Sequence, residues 1–235
     1  MTSTRLPGKV LMLVEGKPLL QYHLERLREV SLADELIVAT TENKTDDPIV
    51  ELCKSMKVKY FRGSEDDVLS RYFLAAKKYK ANVVVRVTSD CPLIDPAVVD
   101  KVINTYLRKY PQYQYVSNVE ERTYPRGMDA EVFSSEALNI AHKEAIAQPD
   151  REHVTPYIAN DKKRFKKFNV KNKKNQGKYR WTVDTKEDFD LISKMILSLN
   201  NNNKTLNMND YVNLCNKNPD WLKINAHIEQ KSYGE

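Results

Sequence analysis

The sequence lacks the features that mark secreted, membrane-spanning and zinc-binding proteins. Only three cysteines occur in 235 residues, Cys53, Cys91 and Cys215, and no two of them form a CxxC pair. Neither a disulfide framework nor a zinc site is therefore indicated. No apolar run approaches the roughly 20 residues that a membrane span needs, and the N-terminus has no apolar segment of the signal-peptide kind. We expect a cytoplasmic protein without a membrane partner.

Positive charge is in excess over negative charge. The formal net charge is +6, and much of the excess lies between Lys162 and Lys178. Such a patch could bind a nucleic acid, or it could form the solvated rim of a loop and a hairpin. No RNA-binding or helix-turn-helix signature accompanies it. We therefore favour the solvated rim and expect no nucleic-acid partner.

The first half of the sequence alternates between short apolar runs and amphipathic stretches with helical spacing. This alternation predicts an α/β fold with a mostly parallel central sheet and helices on both of its faces. The run Asn82–Thr88 is the most strand-like and is apolar enough for a central parallel strand. Ligands of such sheets bind beyond the carboxyl ends of the strands, so the residues after Thr40, Phe61 and Thr88 are candidate site residues.

The second half of the sequence is less regular. Thr185 with Asp188 resembles a capping box for a following helix, and a polar break at residues 200–203 separates the last segment. We therefore predict one domain over residues 1–199 and a C-terminal tail with a short helix over residues 200–235. The strands predicted in this half are Tyr115–Asn118, Asp129–Phe133 and Tyr179–Val183.

The segment from Ser3 to Lys9 combines small hydroxyl residues, one glycine and two cations. Gly8 allows the backbone to approach a phosphate closely, and Arg5 and Lys9 can neutralise phosphate oxygens. The spacing is not that of a Walker A motif. The alternative is a basic, unstructured N-terminal tail.

Two aspartates follow strand-like runs. Asp90 lies just beyond Asn82–Thr88, and Asp184 lies just beyond Tyr179–Val183. Carboxylates at such positions suit a Mg²⁺ ion bound to a nucleotide, because Mg²⁺ prefers hard oxygen ligands. The alternative is that each aspartate only stabilises a turn or a helix N-terminus.

Asp129 and Glu131 are two residues apart in a predicted strand and should share one face. Two carboxylates on one face could bind the hydroxyl groups of a sugar. Alternatively, they could lie on a strand edge that faces the solvent. His153, in the segment Arg151–Thr155, has no histidine or cysteine at metal-ligand spacing. A structural role is its alternative.

Seven segments occur in order and span about residues 1–195, namely Ser3–Leu11, Phe61–Tyr72, Val85–Pro96, Tyr115–Asn118, Tyr124–Phe133, Arg151–Ile158 and Arg180–Thr185. Together they resemble the SpsF-like branch of the cytidylyltransferases, relatives of CMP-KDO synthetase and acylneuraminate cytidylyltransferase. The resemblance implies a Rossmann-like, GT-A-type nucleotidyltransferase fold. It also implies transfer of CMP from CTP to a 2-keto sugar acid, with release of pyrophosphate, in surface polysaccharide synthesis.

The resemblance also implies roles for individual residues. Asp90 and Asp184 would hold Mg²⁺, and a homodimer with an exchanged arm is a further expectation. The implied catalytic residues are Arg5, Lys9 and Asp90. The implied nucleotide-binding residues are Ser3, Arg5, Gly8, Lys9, Arg71, Arg86 and Ser89, and the implied acceptor-binding residues are Asn118, Asp129, Glu131, Arg151 and His153.

The sequence departs from the family pattern at two places. Relatives commonly have glycine where Ser89 stands, and their phosphate loop follows an apolar first strand that is not seen here before Ser3. The resemblance therefore implies a sheet without its first strand, in a shortened chain or in one with compromised activity. Two other functions stay open. One is a sugar-nucleotide glycosyltransferase, against which the absence of a DxD motif counts, and the other is a non-catalytic homologue.

Overall fold

Strands and helices alternate through most of the chain, as the sequence predicts. The computed structural model describes residues 3, 5–161, 163–198 and 206–230. Its strands are β1 (Leu13–Val14), β2 (Lys17–Pro18), β3 (Ile37–Thr41), β4 (Lys59–Gly63), β5 (Val83–Arg86), β6 (Tyr115–Ser117), β7 (Glu131–Ser134) and β8 (Lys167–Asn169). Its α-helices are α1 (Leu19–Leu27), α2 (Asp47–Ser55), α3 (Val68–Lys78), α4 (Pro96–Lys109), α5 (Ser135–Glu144), α6 (Gln148–His153), α7 (Pro156–Asn160), α8 (Lys186–Leu197) and α9 (Met208–Lys217).

The larger strands form two separate sheets. β3 and β4 form a parallel pair, and a four-stranded sheet has the order β5-β7-β6-β8. Only β7 opposes its neighbours, because it pairs antiparallel with β5 and β6 while β6 pairs parallel with β8. The predicted α/β fold is confirmed. The prediction of a central position for Asn82–Thr88 is wrong in one respect, since β5 lies at the edge of its sheet within the described residues.

Short connections relate the directions of the two sheets. Residues 64–67 join β4 to α3, and residues 79–82 join α3 to β5. A strand, a packed helix and a further strand with such short links form a βαβ unit, in which the two strands run parallel. β5 therefore runs in the same direction as β3 and β4, and the carboxyl ends of all three meet at one edge of the molecule.

A cavity of about 990 Å³ lies between the two sheets and is lined by residues of both β3 and β5. We call this cavity the slot. Helices α1, α3 and α4 also contribute lining residues, most of them apolar. Within the described ranges no strand lies between β3 and β5, so each has one edge without a partner strand. Protein interiors hold few voids larger than a water molecule, so the slot is an unusual feature.

The described C-terminal part packs against the core of the chain. Met208, Tyr211 and Val212 of α9 are buried in one cluster with Trp181 and residues of α8. The predicted domain boundary at residue 199 lies outside the described residues and stays a prediction. Among the described residues, no helix is both long and apolar enough to cross a membrane.

The basic segment carries its charge next to carboxylates. Arg164 pairs with Glu144 and Asp161, Lys167 pairs with Glu120, and Lys171 pairs with Glu121. Lys162 lies outside the described residues. These four ion pairs engage three of the eight described cations of the segment, and the solvated rim stays a prediction.

Asp95 links α9 to the N-terminus of α4. One carboxylate oxygen accepts from the Ala97 backbone N–H at 2.9 Å, and the other accepts from the Met208 backbone N–H at 2.7 Å. Asp95 is buried, so either N–H would lose its partner without gaining water if the carboxylate were removed.

We therefore expect Asp95→Ala to lower the free energy of unfolding by about 1–3 kcal/mol. Asp95→Asn keeps one acceptor oxygen and should lose less. Urea unfolding followed by circular dichroism measures both, with Asp220→Ala on the exposed surface as the control. Equal unfolding free energies for Asp95→Ala and the unmodified chain would show that this link does not stabilise the fold.

Candidate functional site

One ammonium group lies between two carboxylates at the carboxyl end of β5. Lys9 Nζ is 2.7 Å from Asp90 Oδ2 and 2.7 Å from Asp184 Oδ1. Arg5 Nη2 reaches the second oxygen of Asp184 at 3.1 Å. We call Arg5, Lys9, Asp90 and Asp184 the central cluster. The structure thus brings together the three residues predicted as catalytic and the two predicted as metal ligands.

A backbone hydrogen bond holds the two aspartates close to each other. The Val183 N–H donates to the Asp90 carbonyl at 2.9 Å, which places the next residue, Asp184, beside the Asp90 loop. The preceding residues were predicted as a strand over Tyr179–Val183, and that prediction is wrong in extent. Only an isolated parallel bridge between Arg126 and Arg180 is present, because the segment leaves the sheet to reach Asp90.

The predicted phosphate segment forms a turn that points its cations at the two aspartates. Gly8 has φ of +70°, in the left-handed region that favours glycine, and a short 3₁₀ helix over Lys9–Leu11 follows it. The Leu6 N–H donates to Ser3 Oγ at 3.5 Å, near the limit for such a bond. The described part of Ser3–Lys9 is therefore a built turn and not an extended tail.

The charges of the central cluster support one another. Burial acts to lower the pKa of Lys9, but Asp90 and Asp184 raise it by more, so the pKa of Lys9 lies above its usual value. Burial acts to raise the pKa of Asp90, but Lys9 and hydrogen bonds from Thr88 and Cys91 hold that pKa below its usual value. Lys9 is therefore protonated and Asp90 ionised at neutral pH.

A second layer of polar residues holds Asp184 in place. Arg180 Nη2 lies 2.9 Å from Asp184 Oδ2 and 3.0 Å from Asp188 Oδ2. Asp188 is fully buried, and it also accepts from the backbone N–H of Asp184 and Thr185 and from Asn225 Nδ2. The predicted capping box of Thr185 and Asp188 is confirmed. Sequence reasoning missed that the same carboxylate positions Arg180.

Glu131 is the centre of a separate buried cluster. Its carboxylate accepts from Arg86 Nη1, from Tyr115 Oη at 2.5 Å and from Thr155 Oγ1 at 2.7 Å. Asp129, two residues earlier, instead accepts two bonds from Arg122 at 2.7 and 2.9 Å. The two carboxylates predicted to share one face therefore have different partners. Their acceptor-binding role stays a prediction.

The other predicted acceptor residues lie on two different elements. Asn118 is fully buried, and its side chain donates to the Met128 carbonyl at 2.7 Å and accepts from the Ala130 N–H at 2.9 Å. Arg151 reaches Asp67 Oδ2 at 2.6 Å and so joins α6 to α3, and His153 ends α6. The structure does not bring Arg151 into contact with the central cluster.

Three residues predicted to bind the nucleotide line the slot, namely Arg71, Arg86 and Ser89. Arg71 donates to the Ser64 carbonyl at 2.7 Å. The Nε atoms of Arg71 and Arg86 are buried and have no hydrogen-bond partner within the described chain. Each guanidinium group therefore has one buried donor that no described residue satisfies.

Arg126 is a residue that sequence reasoning passed over. The charged side chains near it are Arg122, Asp129, Arg180 and Asp184. Its pKa lies below the usual value, mainly because the side chain is partly buried and also because the positive charge of Arg122 is close. Its side chain is in no ion pair within the described residues, whereas Arg122 and Arg180 are both paired. The signal in the sequence was the Arg126-Gly127 pair, which occupies a tight turn beside the site.

The described residues hold no group of three or more histidine, cysteine, aspartate or glutamate side chains placed to bind a metal. The pair Asp90 and Asp184, predicted from the sequence to hold a metal, stays a prediction. Burial raises the pKa of the neighbouring Cys91 well above its usual value, so this thiol is not a nucleophile at neutral pH.

Gly127 is required by the turn that carries Arg126. Its φ is +103°, and a Cβ built on it would lie 2.7 Å from the backbone C and O of Trp181. We expect Gly127→Ala to destabilise the fold by about 1–3 kcal/mol, since both the backbone and the contact become strained. Gly16→Ala is the matched control, because Gly16 has φ of +71° and nothing lies within 4 Å of its Cβ position.

Urea unfolding followed by tryptophan fluorescence compares the two variants. Gly16 shares the left-handed backbone of Gly127 but has no close contact at its Cβ position. We therefore expect Gly127→Ala to lower the free energy of unfolding by more than Gly16→Ala does. An equal decrease of the free energy of unfolding in both variants would show that the contact between the added Cβ and the Trp181 backbone does not destabilise the fold.

A family model described as cytidylyltransferase matches residues 1–218. The chain is 34% identical to a cytidylyltransferase of Leptospira borgpetersenii whose structure is solved, with a TM-score of 0.90 over 99% of this chain and 95% of that one.

Sequence relatives agree with the family match. An uncharacterised protein of Methanocaldococcus jannaschii is 39% identical over 99% of this chain and 94% of its own length. The spore coat polysaccharide biosynthesis protein SpsF of Bacillus subtilis is 32% identical over 94% of this chain and 92% of its own length. A 3-deoxy-manno-octulosonate cytidylyltransferase of Chlamydia trachomatis is 32% identical over 66% of this chain and 62% of its own length. The chain therefore belongs to the cytidylyltransferase family of enzymes.

Proposed function

We propose that the protein transfers CMP from CTP to a sugar acid of the 2-keto type, in the synthesis of a surface polysaccharide. The observation that carries the proposal is the central cluster, in which Lys9 and Arg5 meet Asp90 and Asp184 at the carboxyl end of β5. The family match supports CTP as the donor. The relatives named for polysaccharide biosynthesis and for 3-deoxy-manno-octulosonate support the pathway and the acceptor class.

The two aspartates suit a Mg²⁺ ion. An oxygen of each lies 2.7 Å from the same nitrogen, so both carboxylates already converge on one point. Mg²⁺ is usually held by one or two carboxylates together with water and substrate phosphates, and this donor set fits that pattern. When bound, the metal would neutralise triphosphate charge. Asp90 and Asp184 would hold it, which leaves the Lys9 ammonium to bind phosphate oxygens.

The reaction is a displacement at the α-phosphorus of CTP. A hydroxyl oxygen of the acceptor forms a bond to this phosphorus, the bond to the bridging oxygen of the β-phosphate breaks, and the hydroxyl proton passes to solvent. Arg5 and Lys9 stabilise the charge that develops on the departing pyrophosphate, and Gly8 lets the backbone of the turn approach it. Positioning and charge neutralisation are the main needs of such a transfer.

Arg126 is the best candidate for the acceptor carboxylate. It lies near Asp184 and Asp129, and the other nearby arginines are already committed to carboxylates of the chain. An arginine without a partner can form a bidentate pair with a carboxylate ligand. We propose that Arg126 distinguishes sugar acids from neutral sugars, while Asn118, Asp129 and Glu131 shape the wall of the acceptor site.

The homodimer and the cytoplasmic location also remain proposals. Substrates that are nucleotides and sugar acids are consistent with a cytoplasmic site of synthesis. Sedimentation of the chain at several concentrations would decide between a dimer and a monomer.

We expect Asp90→Asn and Asp184→Asn each to weaken Mg²⁺-dependent CTP binding and to lower the turnover by about 100-fold or more, because the metal and Lys9 lose their carboxylate partners. Calorimetry with CTP and Mg²⁺ measures binding, and pyrophosphate release with 3-deoxy-manno-octulosonate and other 2-keto acids measures turnover. Asp129→Asn is the control that should keep CTP binding. Unchanged binding in Asp90→Asn, or preference for an intact sugar nucleotide over CTP, would contradict the proposal.

We expect Arg126→Gln to raise the KM for an accepted sugar acid by about tenfold and to leave the KM for CTP within about twofold, since only a charge-assisted pair with the acceptor is lost. Arg108→Gln, on the exposed side of α4, is the matched control. An equal rise in both KM values would show that Arg126 does not act on the acceptor.

A further inference from the structure

The segment that follows α9 reaches the polar residues behind the central cluster. It packs against the buried residues of α8 and α9 through three partly buried side chains, namely Trp221, Leu222 and Ile224. The next residue, Asn225, is buried as well, with 5% of its surface exposed. Its partners are Asp188 and Arg180, which precede it by 37 and 45 positions. The segment after α9 therefore contributes to the surroundings of Asp184.

The side-chain amide of Asn225 contacts both of the residues that support Asp184. Asn225 Nδ2 donates to Asp188 Oδ1 at 2.8 Å and to the Arg180 carbonyl at 3.0 Å. An amide nitrogen carries two N–H donors, so these two contacts use both of them. Because the group is buried, water does not replace either contact when it is lost. Asn225 therefore fixes the carboxylate of Asp188 relative to the backbone of Arg180.

The guanidinium group of Arg180 is divided between two carboxylates. Its Nε and Nη2 atoms lie 2.9 and 3.0 Å from the two oxygens of Asp188, and Nη2 also lies 2.9 Å from Asp184 Oδ2. In the described chain, Asp188 Oδ1 accepts from Arg180 Nε and from Asn225 Nδ2. A fully buried carboxylate that loses a donor is costly. Without the Asn225 amide, Asp188 would therefore draw Arg180 toward itself and away from Asp184.

We propose that Asn225 is a positioning residue for Asp184, on which it acts through Asp188 and Arg180. The neutral amide satisfies part of Asp188, so Arg180 stays shared and Asp184 keeps the orientation in which it meets Lys9. This inference gives the segment after α9 a role in the site. Its link to a metal rests on the proposed function, whereas the position of Asp184 does not.

Hydrogen exchange tests the position of Asp184 without metal or nucleotide. The backbone amides of Asp184 and Thr185 both donate to Asp188 and therefore report on that carboxylate. We expect their exchange to be about tenfold faster in Asn225→Ala than in the unmodified chain. Asn218→Ala is the matched control, because this side chain donates to a carbonyl of α9 at 3.0 Å, and it should change the exchange by less than about twofold.

A second control separates positioning from general destabilisation. Val212 is buried in the cluster of α8 and α9, so Val212→Ala weakens apolar packing and leaves the amide of Asn225 in place. The two variants are compared at urea concentrations that give them the same free energy of unfolding. Exchange at Asp184 and Thr185 should then still be faster in Asn225→Ala. Equal exchange in the two variants, or no change in Asn225→Ala, would overturn the proposal.

Metal dependence is the readout that rests on the proposed function. Loss of a residue that orients a metal ligand commonly weakens metal affinity by about 10-fold to 100-fold. Calorimetry of CTP binding at a series of Mg²⁺ concentrations should show that Asn225→Ala needs about tenfold more Mg²⁺ for half of its effect, and Val212→Ala should not. An unchanged Mg²⁺ requirement in Asn225→Ala would overturn the link to the metal. If the unmodified chain shows no Mg²⁺-dependent CTP binding, the proposed function fails, and the exchange result alone decides the role of Asn225.

Discussion

The site depends on the ion pairs that Lys9 makes with Asp90 and Asp184. The partners are 81 and 175 positions away in the sequence, and both oxygens lie 2.7 Å from the same ammonium nitrogen. Charges that are largely removed from water are costly unless they are paired and hydrogen-bonded. Three loops from distant parts of the chain are therefore held together at the carboxyl end of β5, which is the place proposed for the triphosphate and its metal.

Hydrogen bonds from neighbouring residues hold Asp184 in the position where it meets Lys9. Asp188 accepts hydrogen bonds from Arg180, from two backbone N–H groups and from Asn225, and it is fully buried. Arg180 in turn holds Asp184. The helix cap that begins α8 is thus also the support for one metal-ligand candidate, so local helix formation and site geometry use the same carboxylate.

The slot separates the two sheets of the fold. The sheet halves on either side of it share no strand within the described residues, and they are related through the helices that cover them. Ser89 lines the slot, and Asp90 of the central cluster is the next residue. The central cluster therefore lies at one end of the slot.

The local structure and the candidate residues could be predicted from the sequence. Helical spacing, the cap at Thr185 and Asp188, the glycine in the turn and the aspartates after strands all depend on neighbours within a few positions, and the family segments lie in the same order. The partners of the candidate residues could be read only from the three-dimensional structure. Among the described residues, Asp129 and Glu131 have different partners, Arg126 has no carboxylate in an ion pair, β5 lies at the edge of its sheet, and the slot separates β5 from β3. Those outcomes depend on contacts between residues far apart in the sequence, and no periodicity or short motif encodes which distant charges will meet.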